Sequence, residues 1–156
     1  MFKSIIWATD GSETAETALP YVRELASENH AKLTLLHCDE LLVGRSAGHD
    51  QFIGDEYVRD LVRRRVRELR DEGIDATARF TSGIGCDAAQ QVSEAVDELG
   101  ADLVVIGTRG RNPLGQLFLG SVTQRLLELG PCPVFVVPTM TPAGATTGRT
   151  AAAATA

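Results

Sequence analysis

Ala101-Asp102-Leu103-Val104-Val105-Ile106-Gly107-Thr108-Arg109-Gly110-Arg111 is the stretch that decides how this chain folds. Leu103 to Ile106 are apolar without alternation, the mark of a strand covered on both faces. Strands of that kind belong to parallel sheets flanked by helices. Immediately upstream, Ala88, Ala89, Val92, Ala95, Val96 and Leu99 recur at helical spacing, and Gly100 closes the pattern. Downstream, a glycine-rich loop from Gly107 to Gly120 leads to a helix carrying Val122, Leu126 and Leu129. Pro131 and Pro133 then mark the start of a last strand, Val134 to Val137.

The same alternation runs back to the N-terminus. Ile5 to Ala8 reads as a strand ending in Thr9-Asp10-Gly11-Ser12. A helical pattern follows on Ala15, Ala18, Leu19, Val22, Leu25 and Ala26, with Pro20 expected to kink it. Leu33 to His37 is a second strand, followed by a loop of mixed polarity from Asp39 to Gly54. Val58, Leu61, Val62, Val66 and Leu69 form one stripe of a long amphipathic helix that ends at Gly73. Its Asp55–Arg59 and Asp60–Arg64 spacings suit ion pairs four apart. Asp75 to Thr81 alternates apolar and polar residues, which predicts a half-exposed strand at a sheet edge. Strand and helix therefore alternate throughout, and the fold class is α/β with a parallel sheet between two helical layers.

Length and composition bound the function. At 156 residues this is one domain, spanning 1–138, with a tail. Residues 139–156, almost all Thr, Ala and Gly, have too little apolar surface to offset ordering entropy and are expected to be disordered. Fifteen basic against twenty-one acidic residues give a net charge of −6, which disfavours nucleic-acid binding. The longest apolar runs are far too short to cross a membrane, and the N-terminus has no signal-type segment. Three cysteines without a C-x-x-C pair imply neither a disulfide framework nor a zinc site, so a reducing cytoplasm is the expected setting.

In open α/β sheets the ligand sits beyond the carboxyl ends of the strands, where strand order reverses. Those ends carry Asp10-Gly11-Ser12, His37-Cys38-Asp39-Glu40, and Gly107-Thr108-Arg109-Gly110-Arg111. If the first and fourth strands are neighbours, Asp10 and Gly107 face one crevice. Glycines allow close approach, the helix opening at Gly120-Ser121 offers N–H groups to an anion, and Arg109 and Arg111 supply charge. Together they describe a phosphate cradle. Ser121 is placed to cap that helix or to meet a phosphate. Asp10 is suited to a ribose hydroxyl or a divalent cation. Gly83-Ile84-Gly85-Cys86-Asp87-Ala88 fits a dinucleotide-type pattern but lies in the wrong unit, and reads as a plain strand-to-helix turn. His37 reads as a packing or hydrogen-bonding residue near a strand end.

Gly107-x-x-Gly110, nine residues, then Gly120-Ser121 is similar to the nucleotide motif of the universal stress protein family. Ile5 to Ser12, Leu35-Leu36-His37-Cys38, Ala101 to Gly107, Gly120 to Thr123 and Pro131 to Val137 resemble that family in the same order. The resemblance implies a Rossmann-like five-stranded sheet of order 3-2-1-4-5, akin to adenine nucleotide α-hydrolases, and an ATP site. It implies that Ala8, Thr9 and Asp10 line the adenosine and that the backbone at Cys38 reads adenine. Gly107, Arg109, Gly110 and Arg111 would wrap the phosphates, with Gly120, Ser121 and Val122 closing over them. It further implies Mg2+ accompanying the nucleotide and a homodimer formed through the last strand. A P-loop is excluded, since no G-x-x-x-x-G-K-[ST] element exists and Lys3 and Lys32 are the only lysines. No catalytic base is identifiable. The expected function is a stress-response regulator that binds ATP, with at most slow hydrolysis. The alternatives are an adenine-nucleotide hydrolase or transferase, and a structural dimer with a vacant site.

Overall fold

The computed structural model describes residues 1–41, 53–84, 87–108 and 119–138. The first strand, β1 (Ser4–Ala8), is followed by two short helices, α1 (Glu13–Glu16) and α2 (Leu19–Asn29). Then come β2 (Lys32–Leu41), α3 (Ile53–Asp71), β3 (Ala76–Ile84), α4 (Ala88–Leu99), β4 (Leu103–Gly107), α5 (Ser121–Leu129) and β5 (Val134–Val137). The five strands form one sheet in the order β3-β2-β1-β4-β5, and all four pairings are parallel.

Alternation along each inner strand builds two cores, one per face. Ile5 and Trp7 of β1, Leu33 and Leu35 of β2, and Leu103 and Val105 of β4 turn to one side. There they meet Val22 and Ala26 of α2 and Val58, Val62, Val66 and Leu69 of α3. Ile6, Ala8, Leu36, Val104 and Ile106 turn to the other side, against Ala89, Val92, Ala95 and Val96 of α4 and Leu126 of α5. The chain moves outward from β1 to β3 beneath one helical layer, then returns past β1 to β4 and β5 beneath the other. Strand order therefore reverses between β1 and β4.

Three local expectations change. Pro20 does more than kink a helix: its ring crowds the carbonyl four residues back, at Glu16, and the first helix ends there. Proline occupies the first turn of α2, where its missing N–H removes no bond. β2 runs on through Asp39 to Leu41 because β3 pairs with it that far, and Gly54 falls inside α3. Asp60 pairs with Arg63 at 2.9 Å, one position short of Arg64. Arg59 reaches Asp39 on β2, and the side chain of Asp55, its expected partner, lies outside those described. The tail at 139–156 and the loop at 42–52 lie outside the described residues.

The turn after β1 is pressed against α3. Gly11 has φ +73°, and a Cβ there would stand 2.9 Å from Val58 Cγ1. Gly11→Ala therefore combines a left-handed backbone with overpacking, and is expected to cost about 1–3 kcal/mol in urea denaturation. Trimming the obstacle should show as non-additivity: Gly11→Ala in a Val58→Ala background should cost less than in the wild type.

Candidate functional site

Parallel pairing of Ala8 with Ile106 sends Thr9-Asp10 and Gly107-Thr108 off the sheet side by side. The first of these segments is a tightly bonded turn. Thr9 N–H donates to Leu36 O at 3.0 Å, one more rung beyond the end of β1. Thr9 Oγ1 accepts from Gly11 N at 3.2 Å. Asp10 Oδ1 accepts from Ser12 N at 3.0 Å and from Ser12 Oγ at 2.6 Å. Ser12 Oγ in turn accepts from Ala15 N at 3.2 Å, capping α1. An aspartate followed by Gly-Ser is suited to this, since its short carboxylate bonds the backbone two residues on. The result is a half-buried carboxylate held in place at the mouth of the β1–β4 crevice.

The second segment is built from main chain. Thr108 N–H donates to Val137 O at 2.9 Å, and Gly120 N–H donates to Thr108 O at 2.7 Å. The two ends of the loop are thereby joined, and the start of α5 is set against the end of β4. Gly120 occupies the cap position with φ −60° and ψ 151°, and among the described residues no side chain caps the helix. The first N–H groups of an α-helix have no internal partner, so an uncapped N-terminus favours an anion. Ser121 is the first helical residue and does not serve as the cap, contrary to one of its two expected roles. Thr123, which sequence reasoning passed over, is buried and its Oγ1 donates to Gly107 O at 2.9 Å. Arg109, Gly110 and Arg111 lie outside the described residues.

β2 supplies the third side. Cys38 is half-buried, and its Sγ approaches Ala88 O at 3.8 Å at the start of α4, whose cap is Asp87. The Gly83–Ala88 pattern thus lies between strand and helix as expected, but its first two residues, Gly83 and Ile84, still belong to β3, and 85–86 lie outside the described residues. The residues on either side of Cys38 are buried and polar. His37 Nδ1 meets Thr9 O at 2.9 Å, and Asp39 lies between His37 and Arg59 of α3. Asp39 was visible only as part of a polar strand end and Arg59 only as a partner for Asp55; nothing in the sequence joins the two to each other. Elsewhere, burial pushes the Cys132 thiol up, and hydrogen bonding to Glu68 and Glu16 does the same for the Arg65 guanidinium. Among the described residues no cluster of three His, Cys, Asp or Glu side chains is arranged to hold a metal, and no helix is long and apolar enough to cross a membrane.

Residues 1–138 match the model of the universal stress protein family. A relative in Thermus aquaticus, described as a universal stress protein in the QAH/OAS sulfhydrylase 3′ region, is 32% identical over 146 residues, covering 88% of this chain and 99% of the relative. The solved structure of the Methanocaldococcus jannaschii protein MJ0577 has a TM-score of 0.70 at 26% identity, covering 90% of this chain and 99% of its own. A universal stress protein from Archaeoglobus fulgidus, solved in complex with dAMP, has a TM-score of 0.65 at 19% identity, covering 88% and 98%.

Thr123→Val keeps the shape of the side chain and removes one donor to a buried carbonyl. Its expected cost is about 1–3 kcal/mol in urea denaturation, and a Thr123→Ser variant should recover most of it.

Proposed function

The chain belongs to the universal stress protein family, and on that premise we propose that it is a regulatory protein that binds ATP with Mg2+ in the crevice between β1 and β4. One observation carries the reading: a fixed carboxylate and an uncapped helix N-terminus flank the point where strand order reverses. The residues present fit such a ligand. Ala8, Thr9 and Asp10 line the adenosine, with the Asp10 carboxylate accepting a ribose hydroxyl. The backbone at Cys38 meets the adenine edge. Ser121 and Val122 receive the phosphates through main-chain N–H groups, and Gly107 and Gly120 leave them room, since the Gly120 N–H is already bonded to Thr108 O. Arg109, Gly110 and Arg111 are assigned to the same phosphates from the sequence alone.

Mg2+ would supply charge neutralisation. It binds through few protein carboxylates and keeps its other positions for phosphate oxygens and water. That suits the Asp10 carboxylate at the mouth of the crevice. The chemistry left to the chain is binding and orientation, so hydrolysis is at most slow. Binding would order the phosphate side and shift contacts with a partner. A homodimer through the β5 edge is part of the proposal: β5 ends the sheet, Phe135 is 40% exposed there, and its ring packs at a tilt against exposed Tyr21, 5.8 Å between centres. A reducing cytoplasm is the proposed setting, with no nucleic-acid or membrane partner. A mononucleotide is the second reading, favoured by the dAMP complex of the Archaeoglobus relative.

Calorimetric titration with ATP, ADP, AMP and GTP, with and without Mg2+, tests the ligand. The expected order places ATP with Mg2+ first and GTP last; AMP binding as well as ATP would select the mononucleotide. Gly120→Leu should weaken ATP at least tenfold while the far-ultraviolet spectrum is unchanged, and unaltered affinity would remove the phosphate assignment. A labelled-ATP single-turnover assay that runs well above one event per minute would replace the binder with an enzyme. Phe135→Asp should halve the mass in light scattering; a wild type already monomeric refutes the dimer.

A further inference from the structure

β2 changes character along one face. Leu33 and Leu35 point into the core beneath α3, and the next two residues on that side are His37 and Asp39. Both are as buried as the leucines, at 3% and 2% exposed. Packing alone would be served by another aliphatic pair, since well-packed apolar residues commonly match or exceed a buried ion pair in stability. What these two side chains touch explains why they are polar.

Thr9 O is the first β1 carbonyl beyond the sheet ladder, in the peptide that leads into Asp10. A carbonyl only accepts, so His37 Nδ1 carries the proton in their 2.9 Å contact. The opposite ring nitrogen, Nε2, stands 3.2 Å from Asp39 Oδ1, an ion-pair distance without hydrogen-bond geometry, and a bond across it takes a second ring proton. Asp39 Oδ2 is bonded by the Arg59 guanidinium, which compensates the buried carboxylate. Arg59 itself lies over the Phe80 ring, 5.2 Å from its centre. Its neighbour on α3, Val58, is the residue against which Gly11 is pressed. One side of α3 therefore grips the β1 turn twice, through Val58 on Gly11 and through Arg59, Asp39 and His37 on Thr9.

We propose that His37, Asp39 and Arg59 are positioning residues: as a chain from α3 to the Thr9 carbonyl they hold the turn that presents Asp10, and so set affinity at the nucleoside end of the cleft. This rests on the nucleotide reading above for its ligand, though not for its geometry. His37 and Asp39 are buried beneath the turn, so they act through Thr9 and not on the nucleotide directly. Their effect is pre-organisation, in which the turn is ordered before the ligand arrives.

Two substitutions separate the two contacts that His37 makes, the hydrogen bond to Thr9 O and the ion-pair contact with Asp39. His37→Asn puts an amide donor at the Nδ1 position, keeping the Thr9 bond and losing the Asp39 contact. His37→Gln puts one at the Nε2 position and does the reverse. ATP titration with Mg2+ is expected to show a loss of about tenfold for Gln, the scale of one hydrogen bond, and of no more than about threefold for Asn. Asp39→Asn should fall between them. Amide hydrogen exchange in the absence of nucleotide gives an independent readout. Gly11 and Ser12 should exchange faster in the Gln variant and at the wild-type rate in the Asn variant, and the wild-type imidazole should show a protonated Nδ1 in nitrogen NMR. Equal affinities and equal exchange for Asn and Gln would overturn the proposal, as would a wild-type ring protonated only at Nε2. A wild type that binds no adenine nucleotide, yet shows the exchange pattern, would remove the ligand reading and leave the positioning chain standing.

Discussion

The parallel pairing of β1 with β4 is the constraint on which the rest depends. It puts Ala8 beside Ile106 in the middle of a sheet covered on both faces. Two buried strands cannot end there without leaving backbone groups that need partners, and buried amides and carbonyls are costly unpaired. Helices occupy both faces, so those partners must come from the carboxyl edge. Thr9 N–H takes Leu36 O, Thr108 N–H takes Val137 O, and Gly107 O takes the Thr123 hydroxyl. The crevice is thus a by-product of satisfying the ends of the two central strands.

The two rims of that crevice are satisfied differently. On the β1 side the bonds run through side chains: Asp10 to Ser12, Thr9 to Gly11, His37 to Thr9. On the β4 side the described bonds are mostly backbone to backbone, with Thr123 as the side-chain addition. A rim of side chains can discriminate hydroxyls and base edges. A rim of main-chain N–H groups at a helix terminus is suited to a spread-out anion, which has no fixed hydrogen-bonding pattern to match.

Much of this was legible in the sequence, and the reasons for the remainder are specific. Uniformly apolar Leu103–Ile106 identified a strand covered twice, and alternating Ala76–Thr81 identified an edge; both follow from period and burial alone. The end of β2 was illegible because Cys38-Asp39-Glu40 looks like loop, and only pairing with β3 keeps it extended. Asp39 owes its burial to Arg59, twenty residues on, and no local pattern announces a partner at that distance. Ser121 was a reasonable cap by residue type, yet the chain enters the helix one residue earlier, and Gly120 takes the extended cap conformation. Thr123 was missed because a threonine on the inner face of a helix looks like filler until its hydroxyl finds a carbonyl.

The placement of polar residues in the core argues for a division of labour between the helical layers. On the α4–α5 face, the strands present Ile6, Ala8, Leu36, Val104 and Ile106, with buried Thr34 further from the rim, bonded to Thr77. On the α3 face the floor is apolar only as far as Leu35, and then gives way to His37 and Asp39. A buried carboxylate and imidazole offer no advantage in packing over leucine, and they make the local fold depend on an arginine from another element. Such a dependence is useful where an element's position has to be tied to a turn's geometry. Whatever displaces the start of α3 loosens Arg59 from Asp39 and shifts Val58 against Gly11 in the same movement, so the β1 turn senses α3 through two contacts of different physical kind.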